Sequence, residues 1–328
     1  MECGRADAPF MVRALELARR GLGHTRPNPP VGAVVVKGGR IVGEGWHRRA
    51  GGDHAEVAAM KDARRRIGGL GGCSLYVTLE PCSKPGRVGA CTDAIAKAGV
   101  SRVVYAVPDP NPKNRGGARR ALARAGVRCE RLRGAKDVAQ EAESLIRAFR
   151  KHVLTGIPYV TVKIAMSLDG RICDGNGDAR WISSEASRRA TGRMRETVDA
   201  VMVGAETVRK DNPSLLSHGR PNRDLLRVVV SRSGRLPGDA QVFTDGRNRT
   251  LVFDDARRAL EELGGMGVMH VLCEGGLDLA ASLAEAGLVD EWVSVLAPVV
   301  IGSRPIENAV RGRMDGGGDS FATARFGG

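Results

Sequence analysis

Twice along the chain, short β-branched runs alternate with segments of helical period, and the two series are separated at 153–158, where a long amphipathic helix stops and a fresh strand begins. Such alternation restricts the fold to α/β: strands returned by helices lie largely parallel and are covered on both faces. The first series predicts strands Val31–Val36, Ile41–Trp46, Leu75–Leu79, Arg102–Val107 and Val127–Leu132, the first two closed into a hairpin by Lys37-Gly38-Gly39-Arg40. Its helices are expected around Met11–Leu22, from His54 to Arg66, and over Cys91–Ala98, Gly117–Ala125 and Lys136–His152. The second series predicts strands Tyr159–Met166, Asp199–Val203, Leu225–Val230, Gly267–Cys273 and Glu291–Ala297, with helices near Ser184–Arg195, Asp255–Leu263 and Leu277–Ala286. A chain of 328 residues exceeds what one core usually fills. Two domains are therefore expected, 1–152 and 153–310, with 311–328 as a glycine-rich, disordered tail.

Composition narrows the partners. Hydrophobic residues make up 42% of the chain, yet no apolar run reaches the roughly 18 residues a membrane span needs, and no signal-peptide core is legible at the N-terminus. The net charge of +14 comes mostly from arginines spread along the whole length, which suits nucleic acid or phosphorylated small molecules, although most of these arginines read as a solvated surface. Aromatics at 4% leave few platforms for stacking bases, so no nucleic-acid partner is expected. Seven cysteines without regular pairing point to a reducing, cytoplasmic setting.

One cluster of residue types carries chemistry. His54-Ala55-Glu56 is followed by Pro81-Cys82 and then Cys91, which supplies one imidazole, two thiols and one carboxylate. A catalytic zinc takes three such ligands and keeps its fourth position for water, whose pKa falls to about 7. The order matches the zinc-deaminase pattern H-x-E followed by P-C-x-x-C, in which the glutamate shuttles protons. Here an eight-residue loop, Ser83 to Ala90, replaces the usual two-residue spacer. The other cysteines, Cys3, Cys73, Cys129, Cys173 and Cys273, read as scattered thiols.

With that long spacing, Asn28-Pro29-Pro30-Val31-Gly32-Ala33, Gly43-Glu44-Gly45-Trp46-His47, Thr78-Leu79-Glu80-Pro81-Cys82 and Asp109-Pro110-Asn111-Pro112, the first half resembles the pyrimidine deaminase of riboflavin biosynthesis. The second half resembles the reductase joined to it in the bifunctional family. Its motifs are Lys163 to Gly170, Trp181-Ile182-Ser183, Asp211-Asn212-Pro213 and Glu274-Gly275-Gly276. The likeness implies a cytidine-deaminase-like three-layer α/β/α domain followed by a dihydrofolate-reductase-like α/β domain. It implies deamination of 2,5-diamino-6-ribosylamino-4(3H)-pyrimidinone 5′-phosphate, then NADPH-dependent reduction of the ribosyl group to ribityl, in a dimer or tetramer.

Residue by residue, the likeness implies Zn2+ on His54, Cys82 and Cys91, proton transfer by Glu56, and deaminase substrate contacts from Asn28, His47 and Arg87. From sequence alone Asn28 also reads as a turn residue, His47 as a strand-end surface group and Arg87 as a solvated loop arginine. The cofactor site is implied for Ala165, Trp181, Thr207, Asp211, Ser231, Gly275 and Gly276. Reductase substrate contacts are implied for Lys163, Ala179, Arg195, Leu215, His218 and Glu274. Lys163 would polarise the sugar end, Arg195 hold phosphate and Glu274 bind a hydroxyl. Asp53 stands where the family commonly has proline, Ala179 where it often has serine, and His218 in a region that usually offers arginine. After Ile301-Gly302 the family adds a helix and a closing strand, whereas this tail shows little apolar pattern, so a sheet short of its last strand is expected. Two rival readings use the same zinc ligands. One is a zinc deaminase of RNA bases with an accessory domain, and the other a zinc-stabilised binding module without turnover.

Overall fold

The computed structural model describes residues 3–85, 89–217, 219, 224–303, 305–312 and 318–326. The chain divides into two compact units, Met1–Thr155 and Gly156–Gly328, and the division falls inside the junction segment 153–158.

The N-terminal unit runs α1 (Cys3–Arg19), β1 (Gly32–Lys37), β2 (Arg40–Trp46), α2 (Ala55–Ile67), β3 (Ser74–Leu79), α3 (Cys91–Ala98), β4 (Arg102–Val107), α4 (Gly117–Arg124), β5 (Arg128–Arg131), α5 (Lys136–Leu145) and α6 (Arg147–Thr155). The single helix expected over 136–152 is thus two, interrupted at Ile146. The sheet order is β2-β1-β3-β4-β5, antiparallel on the β2-β1-β3 side and parallel from β3 to β5. Period-two alternation sends Ala33 and Val35 of β1 to the core shared with α2, α3 and α4, and Val34 and Val36 to the core shared with α1 and α5. That is the three-layer arrangement the likeness implies.

The C-terminal unit runs β6 (Tyr159–Ser167), α7 (Glu185–Met194), β7 (Ala200–Gly204), α8 (Ala205–Asp211), β8 (Leu226–Val230), α9 (Gln241–Thr244), β9 (Thr250–Phe253), α10 (Ala256–Gly265), β10 (His270–Cys273), α11 (Leu277–Glu285), β11 (Glu291–Ala297), β12 (Val299–Val300), β13 (Val310–Arg311) and β14 (Ser320–Arg325). Its seven-stranded sheet has the order β14-β11-β6-β10-β7-β8-β9, parallel throughout except for β14. One face packs on α10 and α11 through Val160, Val162, Met202, Val228 and Leu260, and the other carries Val201, Val203, Val229 and Leu272.

The expectation of a disordered tail and a missing closing strand is corrected here. Ser320 to Arg325 pair with β11 over six residues, Leu296↔Ser320 through Glu291↔Arg325. All six are exposed, so the strand has no buried face and no apolar alternation to betray it. Arg325 Nε also donates to the buried Glu291 Oε1 at 3.0 Å. Residues 313–317, 327 and 328 of the expected tail lie outside the described residues.

Candidate active sites

Helix α2 lies unusually close to β2. A Cβ on Gly45 would stand 2.3 Å from Ala59 N and one on Gly43 2.5 Å from Ala59 O, so only glycine lets the helix backbone approach. That contact fixes where α2 begins. His54 is its N-cap with extended backbone and makes no side-chain cap bond, so its ring is available elsewhere. Glu56, one residue into the helix, is 4% exposed.

The loop leaving β3 carries Cys82, and Cys91 is the first residue of α3. His54 Nδ1 lies 3.1 Å from Cys91 Sγ and 3.6 Å from Cys82 Sγ, and the three donor atoms all fall within 4.8 Å of one another. The backbone N–H of Cys91 donates to Cys82 Sγ at 3.3 Å. The Cys82 thiol is pulled down to about 4, first by the hydrogen bond from Cys91 and also by His54. Cys91 moves upward because it shares that bond with Cys82 and is buried. The two sulfurs together therefore favour a thiolate, and the bond to Cys82 holds the His54 ring above its usual value. Burial, then the charge on Cys82, pushes the Glu56 carboxyl up. One imidazole and two cysteine sulfurs at this spacing, one of them readily ionised, fit a zinc ion, with a buried carboxyl beside them.

His54, Glu56 and Cys82 open on a cavity of about 660 Å³ lined also by Asn28, His47, Glu80, Lys84, Asp109, Asn111, Lys113, Asn114, Phe149 and His152. His47 is 2% exposed, and its Nδ1 lies 3.0 Å from the Asp53 carbonyl, which can only accept. Nδ1 therefore carries the proton, and Nε2 accepts from Asn28 Nδ2 at 3.0 Å. Burial lowers the His47 pKa, so the ring is neutral near pH 7. Asp53 serves this bond with its backbone, as a proline could, while its carboxylate pairs with Lys61 at 2.7 Å. Its charge is thus turned toward Lys61. Arg87 lies outside the described residues. Sequence reasoning gave no role to Glu80, Asp109, Asn111, Asn114, Phe149 or His152; the two motifs holding Glu80 and Asp109 were the available signal.

In the C-terminal unit several of the implied residues, Thr207, Glu274, Gly275 and Gly276 among them, follow the C-terminal ends of the adjacent parallel strands β7 and β10, where ligands collect in such sheets. Lys163 and Ala165 share one face of β6, and Glu274 follows β10, the neighbour of β6. Arg195, at the end of α7, grips Glu274 with both fork nitrogens, Nε to Oε1 at 2.7 Å and Nη2 to Oε2 at 2.9 Å, and donates from Nη1 to Leu216 O at 2.9 Å. The two implied substrate contacts are thus first partners of each other. Burial lowers the Lys163 pKa, and Arg195 adds to the shift, while Glu274 and Asp319 oppose it.

A Cβ on Gly275 would meet Leu279 Cδ2 at 2.8 Å and Gly204 N at 3.3 Å, whereas nothing lies within 4 Å of one on Gly276. Gly276 opens α11 as its N-cap, so this turn presents bare backbone and helix-end donors, a fit for a cofactor diphosphate. Thr207 is half-buried on α8, and Asp211, the last residue of that helix, is raised by burial and lies 3.8 Å from Arg180 Nε. Leu215 is 2% exposed and packs among Val203, Val208 and Val229, so its side chain belongs to the core; its φ is +56°. The Trp181 ring is 54% exposed, with Arg188 4.3 Å from its centroid. Ser231 stands apart, lining another cavity of about 500 Å³ with Arg232, Asp254 and Arg258, and its buried Oγ has no partner among the described residues. His218 lies outside the described residues.

The loop carrying Ala179 and Trp181 is backed by the C-terminal arm. Arg311 Nη2 donates to Trp181 O at 3.2 Å, Ser184 N–H donates to Asp319 Oδ2 at 2.7 Å, and Ile306 N–H donates to Asp174 Oδ2 at 3.1 Å. Ile182 between them is buried against Ala297, Val299, Ile301 and Ile306.

Comparison with known proteins decides the family. Residues 5–107 match the cytidine and deoxycytidylate deaminase zinc-binding region, and residues 158–312 match the RibD C-terminal domain. The chain is 38% identical to the riboflavin biosynthesis protein RibD of Bacillus amyloliquefaciens, over 92% of this chain and 87% of that one. It belongs to the RibD family. RibD of Escherichia coli K12 is 37% identical over 90% of this chain and 89% of its own length. The crystal structure of a diaminohydroxyphosphoribosylaminopyrimidine deaminase/5-amino-6-(5-phosphoribosylamino)uracil reductase from Thermotoga maritima superposes with a TM-score of 0.84 at 34% identity, covering 92% of this chain and 90% of that one. Acinetobacter baumannii RibD gives 0.79 at 34% identity, covering 95% and 92%. Both RibD activities, deaminase and reductase, thus have their domain in this chain. Among the described residues no helix is long and apolar enough to cross a membrane.

Proposed function

We propose that the N-terminal unit deaminates 2,5-diamino-6-ribosylamino-4(3H)-pyrimidinone 5′-phosphate and that the C-terminal unit reduces the ribosyl group of the product to ribityl with NADPH, two successive steps of riboflavin biosynthesis. The observation that carries the first half is the clustering of the donor atoms of His54, Cys82 and Cys91 within 4.8 Å of one another, at a cavity that His54, Cys82 and Glu56 line. Zinc on those ligands supplies a water acidic enough to attack near neutral pH. Glu56, whose proton affinity burial raises, takes a proton from the attacking water and passes it to a ring nitrogen, then takes the proton of the newly added hydroxyl and gives it to the departing ammonia. Asn28, fixed by the neutral His47, orients the base edge. Lys84 and Lys113, the lysines of the cavity lining, together with Arg87 match a ligand that carries phosphate.

In the reductase, NADPH supplies the hydride, and the protein has to hold the sugar carbon against the nicotinamide with water excluded. Ala165, Trp181, Thr207, Asp211, Ser231 and the Gly275-Gly276 turn hold the cofactor, while Lys163, Ala179, the Leu215 backbone, His218 and the Arg195–Glu274 pair hold the substrate. Lys163 polarises the sugar end, and Glu274 orients Arg195 as it receives a hydroxyl. The enzyme works in the cytoplasm as a dimer or tetramer on a free nucleotide-like substrate. An RNA-base deaminase is the weaker reading, because it leaves the match over 158–312 without a role.

Incubating the full chain with the diamino substrate tests both halves. Ammonia should appear without NADPH, and NADPH should be consumed only as deaminated product forms. Absence of ammonia release, or NADPH oxidation that precedes it, would overturn the reading.

A further inference from the structure

Glu80 ends the strand that leads to the metal ligand Cys82, and it is 3% exposed. A carboxylate so buried is costly unless its oxygens are satisfied. They are satisfied by backbone from one other segment: Oε2 accepts from Asp109 N at 3.3 Å and from Gly116 N at 3.1 Å, and Oε1 accepts from Ala118 N at 3.3 Å. Those donors stand at the two ends of the stretch 109–118. Between them the stretch is folded on itself, with Asp109 Oδ1 accepting from Asn111 N at 2.8 Å, Asn111 Oδ1 from Lys113 N at 3.0 Å, and Asn111 O from Asn114 N at 2.9 Å. It is therefore a rigid loop anchored at both ends by one side chain.

That loop forms part of the cavity containing Glu56, through Asp109, Asn111, Lys113 and Asn114. Asn114 Oδ1 is buried without a partner among the described residues, a polar atom left for something the chain does not supply. We infer that Glu80 is a positioning residue of the deaminase: by clamping both ends of 109–118 it sets the ligand-binding wall opposite the metal ligands to which Glu80 is joined through Pro81-Cys82. The inference rests on the deaminase reading above and deepens it. Two motifs that sequence shows as separate, Thr78 to Cys82 and Asp109 to Pro112, become one device.

The test is Glu80→Gln in the full chain, which keeps the size but turns an N–H donor toward backbone donors. Bound zinc reports that the N-terminal unit is folded, and the reductase activity of the same molecule, assayed with deaminated product, that the C-terminal unit is. We expect KM for the diaminopyrimidine to rise about 10- to 100-fold with kcat changed much less, while bound zinc and reductase activity stay at parent values. A merely structural residue would instead lower zinc content and unfolding midpoint and leave the KM of the surviving fraction alone; that result overturns the proposal. If Glu80→Gln fails to fold, Glu80→Asp decides, because it keeps the charge but cannot span both ends of the loop. An intermediate rise in KM supports the clamp, and a parent-like KM overturns it. Parent enzyme that releases no ammonia would sink the deaminase reading itself, whereas active parent with unaltered variants sinks only the role of Glu80.

Discussion

The two sites of this chain are built in opposite ways. The site proposed for deamination is made of reactive side chains: an imidazole at a helix N-cap, one thiol in the loop after β3, a second at the start of α3, and a buried carboxyl. The residues proposed for the reductase offer shape instead: the Gly275-Gly276 turn exposes backbone, and the most reactive-looking pair, Arg195 and Glu274, is occupied with itself. Hydrolysis needs groups that hold and release protons, whereas hydride transfer needs two ligands held in register. The difference teaches that one chemistry concentrates in residue identity and the other in placement.

The sharpest way to break this contrast is Glu56→Gln. Ammonia release should fall by about 10²- to 10⁴-fold, while NADPH oxidation with deaminated product stays at the parent rate. Loss of both activities in folded protein would show that the sites are not independent. Next in size, Glu274→Gln leaves the Arg195 fork, 13% exposed, without its charge partner. A cost of about 3 kcal/mol to the C-terminal unit is expected, read by urea unfolding, with reductase activity lost and ammonia release kept. Retained reductase activity would mean that the pair is not part of the site.

Placement predicts a finer contrast at adjacent glycines. Gly275→Ala drives a methyl into Leu279 and Gly204 and should cost about 1–3 kcal/mol, whereas Gly276→Ala meets nothing and should change stability by less than about 0.5 kcal/mol. Equal losses from the two would refute the close approach at Gly275. Smallest of all, Asp319→Ala removes the acceptor for Ser184 N–H and loosens the loop that carries Trp181. About 1 kcal/mol is at stake, which should appear as a KM for NADPH raised roughly fivefold, with the deaminase untouched.

The same contrast explains what sequence could reveal. His54, Cys82 and Cys91 were legible as a cluster because zinc chemistry demands those residue types in that order, and strands such as β3 and β6 were legible because they bury β-branched residues, whereas β9, with no fully buried residue, was not among the predicted strands. The partners of Glu80 and of Arg195 were not, since they lie 29 to 38 and 79 residues away and only the fold brings them together. Likewise Leu215 reads as a ligand contact by likeness, yet its side chain completes a core. The last strand escaped notice because an edge strand exposed on every residue has no pattern to show; its pairing with β11 is visible only in three dimensions.

The account stands or falls on metal-dependent deamination confined to the N-terminal unit. Removing zinc with a chelator and then restoring it, while ammonia release and NADPH oxidation are followed separately, tests this directly. Ammonia release should vanish and return with zinc, and oxidation of NADPH by the deaminated product should continue throughout. Ammonia release that survives complete zinc removal would contradict the account.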